Sequence, residues 1–301
     1  MSRRVRRLFV IVSVALMGCL GGCGGGRGSG TATSSGSRAP EGPRPSAIYP
    51  APAGLLAEAQ PQPNGMMWLL SGNQSVRTLG ELNLAAGHLG AKLPESADAV
   101  AIAQASTGAF AVGTATTEAG AVEVRSSTGA LAGTVAVGAP VREVTFGSDG
   151  VTVYALDGTA TSTSVTVVDS QTRTIEDTLP VALDTNFVVA SPDGQDLWAS
   201  ERDGTIDELS IQLRRVVVSF SVGQSASSLA ISPEGTTLYV LKGFGSIDNV
   251  SVVAQAAERV RSVLPAPANC VGIVLSPDGR TLYDAVGTPS VGNVQAFSLA
   301  G

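Results

Sequence analysis

Residues 191–200 read SPDGQDLWAS, residues 232–241 read SPEGTTLYVL, and residues 276–285 read SPDGRTLYDA. A chain that restates one phrase at a steady interval is built from copies of one supersecondary unit, and few folds accept that. Six turn glycines mark the copies: Gly65, Gly108, Gly150, Gly194, Gly235 and Gly279, separated by 43, 42, 44, 41 and 44 residues. The copy around Gly235 shows the internal grammar. Leu229–Ile231 is a short apolar run, and Ser232-Pro233-Glu234-Gly235 is a turn. Pro fixes φ there, and Gly accepts the positive φ that closes it. Thr237–Leu241, Val250–Val253 and Arg259–Leu264 are three further strand-like runs. Four short strands in about 42 residues leave no room for a long helix.

A lone meander of this kind has two apolar faces and cannot bury both. Six placed radially cover one another. The expected fold is therefore all-β: a β-propeller of six four-stranded antiparallel blades, with seven blades as the alternative. A parallel β-helix has shorter coils and lacks the hairpin turn, and a two-sheet sandwich needs no repeating turn. The last copy ends early, since only 22 residues follow Gly279. They supply strands near Thr281–Val286 and Asn293–Leu299 but no fourth. An open ring would leave an unpaired edge. Residues 45–50, PSAIYP, are expected to close the last blade as an N-terminal outermost strand, where proline is tolerated.

Two columns of the repeat invite a functional reading. Tyr154, Trp198, Tyr239 and Tyr283 fall four residues after their glycine, with Trp68 three after and Phe110 two after. Recurrence on every blade fits packing between blades better than a ligand cage. Asp149, Asp193, Glu234 and Asp278 each precede the turn glycine. Asp suits that place through local hydrogen bonds, so these are turn residues and not a metal or acid–base pair.

The N-terminus is an address. Arg3, Arg4, Arg6 and Arg7 precede an apolar run, Leu8–Met17, too short to span a bilayer comfortably. Leu16-Met17-Gly18-Cys19 and Leu20-Gly21-Gly22-Cys23 follow. Each resembles the bacterial lipobox, in which the Cys is acylated and becomes the new N-terminus. Cys23 is the expected lipidation site and Cys19 the alternative. Several acyl chains on one Cys would be needed for stable anchoring. The expected organisation is a signal peptide over 1–22, a flexible Gly/Ser/Pro tether over 23–46, and a propeller over 47–301. A tether of that length spans roughly 25 Å. The expected location is therefore extracytoplasmic, anchored to the bacterial cell membrane.

The propeller units resemble the YVTN repeats of bacterial extracytoplasmic propellers, related to lactonase-type propellers. The resemblance is carried by Ala230-Ile231-Ser232-Pro233-Glu234-Gly235-Thr236-Thr237-Leu238-Tyr239-Val240 and its copies at 188–199 and 273–285. Val165–Asp169 resembles the family's third strand and Thr178–Val181 its fourth. It covers 141–301 well and 54–139 weakly. The naming tetrapeptide is altered in each copy: Tyr154-Ala-Leu-Asp, Trp198-Ala-Ser-Glu, Tyr239-Val-Leu-Lys and Tyr283-Asp-Ala-Val.

Chemistry is sparse. The formal charge is −6, and Lys occurs only at 92 and 242, so nucleic acid is not an expected partner. Cleavage at Cys23 would remove four Arg, leaving 15 Lys+Arg against 25 Asp+Glu, a net charge of −10. Cys270 sits in an apolar run and reads as a buried structural thiol. The single histidine, His88, lies in a Gly-rich stretch read as a loop, and no catalytic, metal or cofactor motif accompanies it. No cofactor is expected. The loops entering the innermost strands carry Asp98, Glu143, Asp184, Asn186, Ser227 and Asn269, which are the candidate binding residues at a channel mouth. Their acidic members favour a cation or basic partner. The expected function is a non-enzymatic binding or scaffold module for a protein or small molecule. The alternative is a lactonase-like or cofactor-dependent propeller enzyme. A cell-wall adhesin would need a surface aromatic or basic patch.

Overall fold

The computed structural model describes residues 45–73, 75–223, 225–243 and 248–299. Cys19, Cys23, the signal segment and all but the end of the tether lie outside the described residues. The first strand, β1 (Ala47–Ala51), belongs to the last blade. Blade 1 is β2 (Leu55–Glu58), β3 (Met66–Gly72), β4 (Arg77–Asn83) and β5 (His88–Glu95). Blade 2 is β6 (Ala99–Gln104), β7 (Phe110–Ala115), β8 (Gly120–Arg125) and β9 (Leu131–Val137). Blade 3 is β10 (Val141–Phe146), β11 (Thr152–Gly158), β12 (Thr163–Asp169) and β13 (Thr174–Pro180). Blade 4 is β14 (Thr185–Ala190), β15 (Asp196–Glu201), β16 (Thr205–Ser210) and β17 (Arg215–Ser221). Blade 5 is β18 (Ala226–Ile231), β19 (Thr237–Lys242), β20 (Asp248–Ala254) and β21 (Arg259–Ala266). Blade 6 is β22 (Cys270–Leu275), β23 (Thr281–Gly287) and β24 (Gly292–Ser298), with β1 outermost. All six sheets are antiparallel meanders, and the first strand of each touches the first strand of the next, from β2 round to β22 and back to β2. The fold is the expected six-bladed propeller.

The N-terminal closure is present too. β1 pairs antiparallel with β24, from Ala47 opposite Ala296 to Ala51 opposite Gly292. The Ser46 N–H donates to the Ala296 carbonyl at 2.7 Å. Pro50 sits on this outermost strand, whose free edge asks for no N–H.

The six turn glycines share one geometry. Their φ values run from 66° to 88°. Each donates its N–H to the carbonyl three residues back, at 2.8–3.0 Å. The acidic residue before the glycine caps the turn: the Ser191 hydroxyl donates to Asp193 at 2.5 Å, and the Ser276 hydroxyl to Asp278 at 2.6 Å. Those bonds hold both carboxyls below the usual range.

Six apolar clusters form the core, and each straddles one seam between blades. Trp68, Tyr154, Trp198, Tyr239 and Tyr283 each pack toward the following blade, as packing residues should. Phe110 departs from that column. In blades 1 and 2 the turn is one residue shorter, so the forward-facing positions are Trp68 and Ala111. Phe110 turns back onto Trp68, with ring centroids 5.1 Å apart. The seam between blades 2 and 3 is left with buried Ala and Val alone.

Candidate functional site

Every innermost strand carries a β-bulge near its start. The register slips at Leu56, Val100, Arg142, Asn186, Ser227 and Val271, one per blade. A bulge adds a residue that the neighbouring strand does not pair, and it re-aims that side chain. All six bulge residues line one cavity of about 210 Å³ on the ring axis. The mouth of the channel is thus a six-membered ring of bulges. Its halves differ: Val271, Leu56 and Val100, from blades 6, 1 and 2, are apolar, whereas Arg142, Asn186 and Ser227, from blades 3, 4 and 5, are polar.

The polar half is tied across the seams. Arg142 donates to the Thr185 carbonyl at 3.3 Å and the Thr159 carbonyl at 3.0 Å. The Asn186 amide donates to the Ala226 carbonyl at 2.7 Å, while its oxygen accepts from Ser200 at 2.9 Å. Ser227 donates to the Leu241 carbonyl at 3.3 Å. One residue deeper, the Ile273 N–H donates to the Ser228 hydroxyl at 3.2 Å. Side chains that bridge inner strands fix the mouth's shape before anything binds.

Below the mouth, two carboxyl groups face the throat. Glu143 follows the bulge of blade 3, and Glu58 lies two residues past the bulge of blade 1; both line the mouth cavity and a second cavity of about 110 Å³ beneath it. Gly272 makes room for Glu58, since a Cβ there would meet the Glu58 carboxylate oxygen at 2.4 Å. The wall beneath turns apolar, with Ile102, Phe146, Phe187, Leu229, Ile231 and Leu275. Enclosure by protein raises Glu58 to about 8, and the Asp284 charge adds to the rise. Enclosure likewise raises Glu143 to about 8; its bond from the Val144 N–H opposes this, and the Glu58 charge reinforces it. Asp284, on β23 opposite Ile273, is 1% exposed, and neither of its carboxyl oxygens has a hydrogen-bond partner. Burial lifts it to about 7.

Of the six candidates read from the sequence, Glu143, Asn186 and Ser227 come together at this mouth. Asp184 lines an adjoining cavity of about 330 Å³ with Arg142, Asn186 and Arg202. Asp98 and Asn269 stand farther out, exposed, and do not line the mouth. With Asp184 they share one job: their main-chain carbonyls accept from Ala115, Gly287 and Arg202 at the end of the next strand. Near Asp184, burial and a hydrogen bond with Asp207 raise Glu201, so this carboxyl holds its proton more tightly than an ordinary one. His88 is not in a loop; it is exposed on β5, the outermost strand of blade 1, far from the axis.

Glu58, Arg142 and Asp284 escape a reading of loops alone. The signal for two of them is a mismatch within a column. Glu58 occupies the place of Ile102, Val144, Val188, Leu229 and Ile273, and Asp284 that of Leu69, Val112, Ala155, Ala199 and Val240. A carboxylate where five other blades carry an apolar residue has a local reason to be there. Among the described residues, no group of three or more His, Cys, Asp or Glu is placed to hold a metal ion.

No family model matches this sequence, and no curated protein matches it. Among solved structures, the chain is similar to Kuenenia stuttgartiensis hydrazine synthase, at 16% identity and a TM-score of 0.62. The match covers 85% of this chain and 77% of that one. At such identity the likeness is one of fold. What fold and site together define is a six-bladed β-propeller with an axial mouth that is apolar on one half of its rim and polar on the other, above two throat carboxyls.

Proposed function

We propose that this protein is a non-enzymatic binding module, related to the YVTN-repeat propellers and held outside the cytoplasmic membrane by acylation of Cys23, with Cys19 the alternative. The observation that carries the binding role is the ring of six bulges, which spends one irregularity per blade on shaping a single opening. The Arg-rich start, the short apolar run and the paired Cys motifs support the anchor. The Gly/Ser/Pro segment after them would hold the ring near the membrane surface.

Two measurements test the halves separately. Membrane fractionation of Cys19→Ser, Cys23→Ser and the double variant should show release in the double variant and in one single variant; retention of the double variant rules out the lipid anchor. Photo-cross-linking from Leu56 at the mouth should then be compared with Val217 on the outer strand β17. The two are matched in exposure, at 38% and 40%. A specific adduct from position 56 and none from 217 supports binding through the mouth, and equal labelling from both removes it.

One observation favours a second reading. Two throat carboxyls raised to about 8 could exchange protons near neutral pH, as a hydrolase needs. A lactonase-like activity would appear in a lactone screen and would be lost in both Glu58→Gln and Glu143→Gln. Failure to hydrolyse any lactone leaves the binding reading alone.

A further inference from the structure

We infer that the throat receives an alkylammonium group, carried either by a free aliphatic amine or by a lysine side chain of a partner. The inference rests on the mouth being the binding site and adds the class of ligand. Four features converge on it. Glu58 and Glu143 face the same cavity, and neither has an ion-pair partner among the described residues. Arg142, the cationic side chain that lines this cavity, gives its bonds to two main-chain carbonyls. Asp284 stands opposite Ile273 on the next strand, fully buried with both oxygens unpartnered, and its charge reaches Glu58. The wall below and half the rim are apolar.

These features describe a cation with a greasy stem. A divalent metal would ask for converging oxygens, and the described residues offer no such set. An anion would meet two carboxylates. A neutral alkane would leave both carboxyls enclosed without a counter-charge. An ammonium on a four- to six-carbon stem satisfies both halves, with its charge between Glu58 and Glu143 and its methylenes on the apolar side. Arg142, at the rim, would oppose a cation lingering there and so favours one that passes below it.

The test is calorimetric titration of the full chain with n-hexylammonium at pH 8.5 and pH 6.5, beside n-hexanol, hexanoate and calcium chloride. The amine should bind saturably at pH 8.5, at least about tenfold more tightly than hexanol. Its affinity should fall at least about tenfold at pH 6.5, because binding needs ionised carboxyls and lower pH protonates them. Glu58→Gln and Glu143→Gln should each weaken binding about tenfold or more. The pH comparison on the unaltered chain stands even if a variant fails to fold. A Gly-Gly-Lys-Gly-Gly peptide against its norleucine counterpart identifies the source: a lysine-dependent signal assigns a partner's side chain, and binding of the free amine alone assigns a small ligand. Hexanol binding as tightly as the amine would keep a site at the mouth but overturn its preference for a cation. Calcium competing with the amine at lower concentration would overturn it in favour of a metal. Absence of binding by every probe would overturn it as well, while the cross-linking test of the mouth would still stand.

Discussion

Asp284 is the residue most at odds with its surroundings. The same position holds Ala155, Ala199 and Val240 in blades 3, 4 and 5, all buried among apolar neighbours. A carboxylate there is costly once ionised. Its value in the folded chain, about 7, lies above the ordinary 3.8. The folded state therefore holds its proton more tightly than the unfolded chain does. The associated stability is complete below about pH 4 and is lost as pH rises through 7. Replacing Asp284 with Val, its counterpart in blade 5, should stabilise the protein by roughly 2–4 kcal/mol above pH 8. That corresponds to a rise of about 5–10 °C in Tm. The gain should shrink to little at pH 4.5. A scanning-calorimetry series across pH checks this, and a gain independent of pH would show that packing and not ionisation governs the site.

The repeating turn shows how a short sequence phrase becomes geometry, and it was readable at once because Gly, Pro and Asp act through local backbone preferences. Gly235 has φ of 71°, with only ordinary contact to Pro192 at 3.6 Å. Gly279 has φ of 68°, but an added Cβ would lie 2.8 Å from Pro233 Cδ. Gly235→Ala should therefore cost about 1 kcal/mol from the left-handed backbone alone. Gly279→Ala should cost more, because Pro233 must also move. Urea unfolding of the two variants separates strain from clash, and equal losses would mean the clash relaxes freely. Other parts of the elements were not readable. The turn in blades 1 and 2 is one residue shorter, which moves the forward-facing position to three residues after the glycine, at Trp68 and Ala111, and leaves Phe110 facing back toward blade 1. Composition carries no mark of that shift; only the pairing register shows it.

For the whole molecule, ring closure was readable because an unfinished last copy and a spare N-terminal strand imply each other. The site was readable only in part. Loop polarity pointed to Glu143, Asn186 and Ser227, which do meet at the mouth. It pointed equally to Asp98 and Asn269, which stand two residues before their bulges, remain exposed and do not line the mouth. Glu58 was hidden within a strand, in a place where five blades carry apolar side chains. The central claim is that protein walls enclose the throat carboxyls, so that the ring's chemistry gathers on its axis. The most direct measurement is a ¹³C-carboxyl NMR titration, with Glu58 and Glu143 assigned through their Gln variants. Both should titrate near pH 8. Titration of both near 4.5, the ordinary value for Glu, would mean that open solvent fills the throat and would contradict the account.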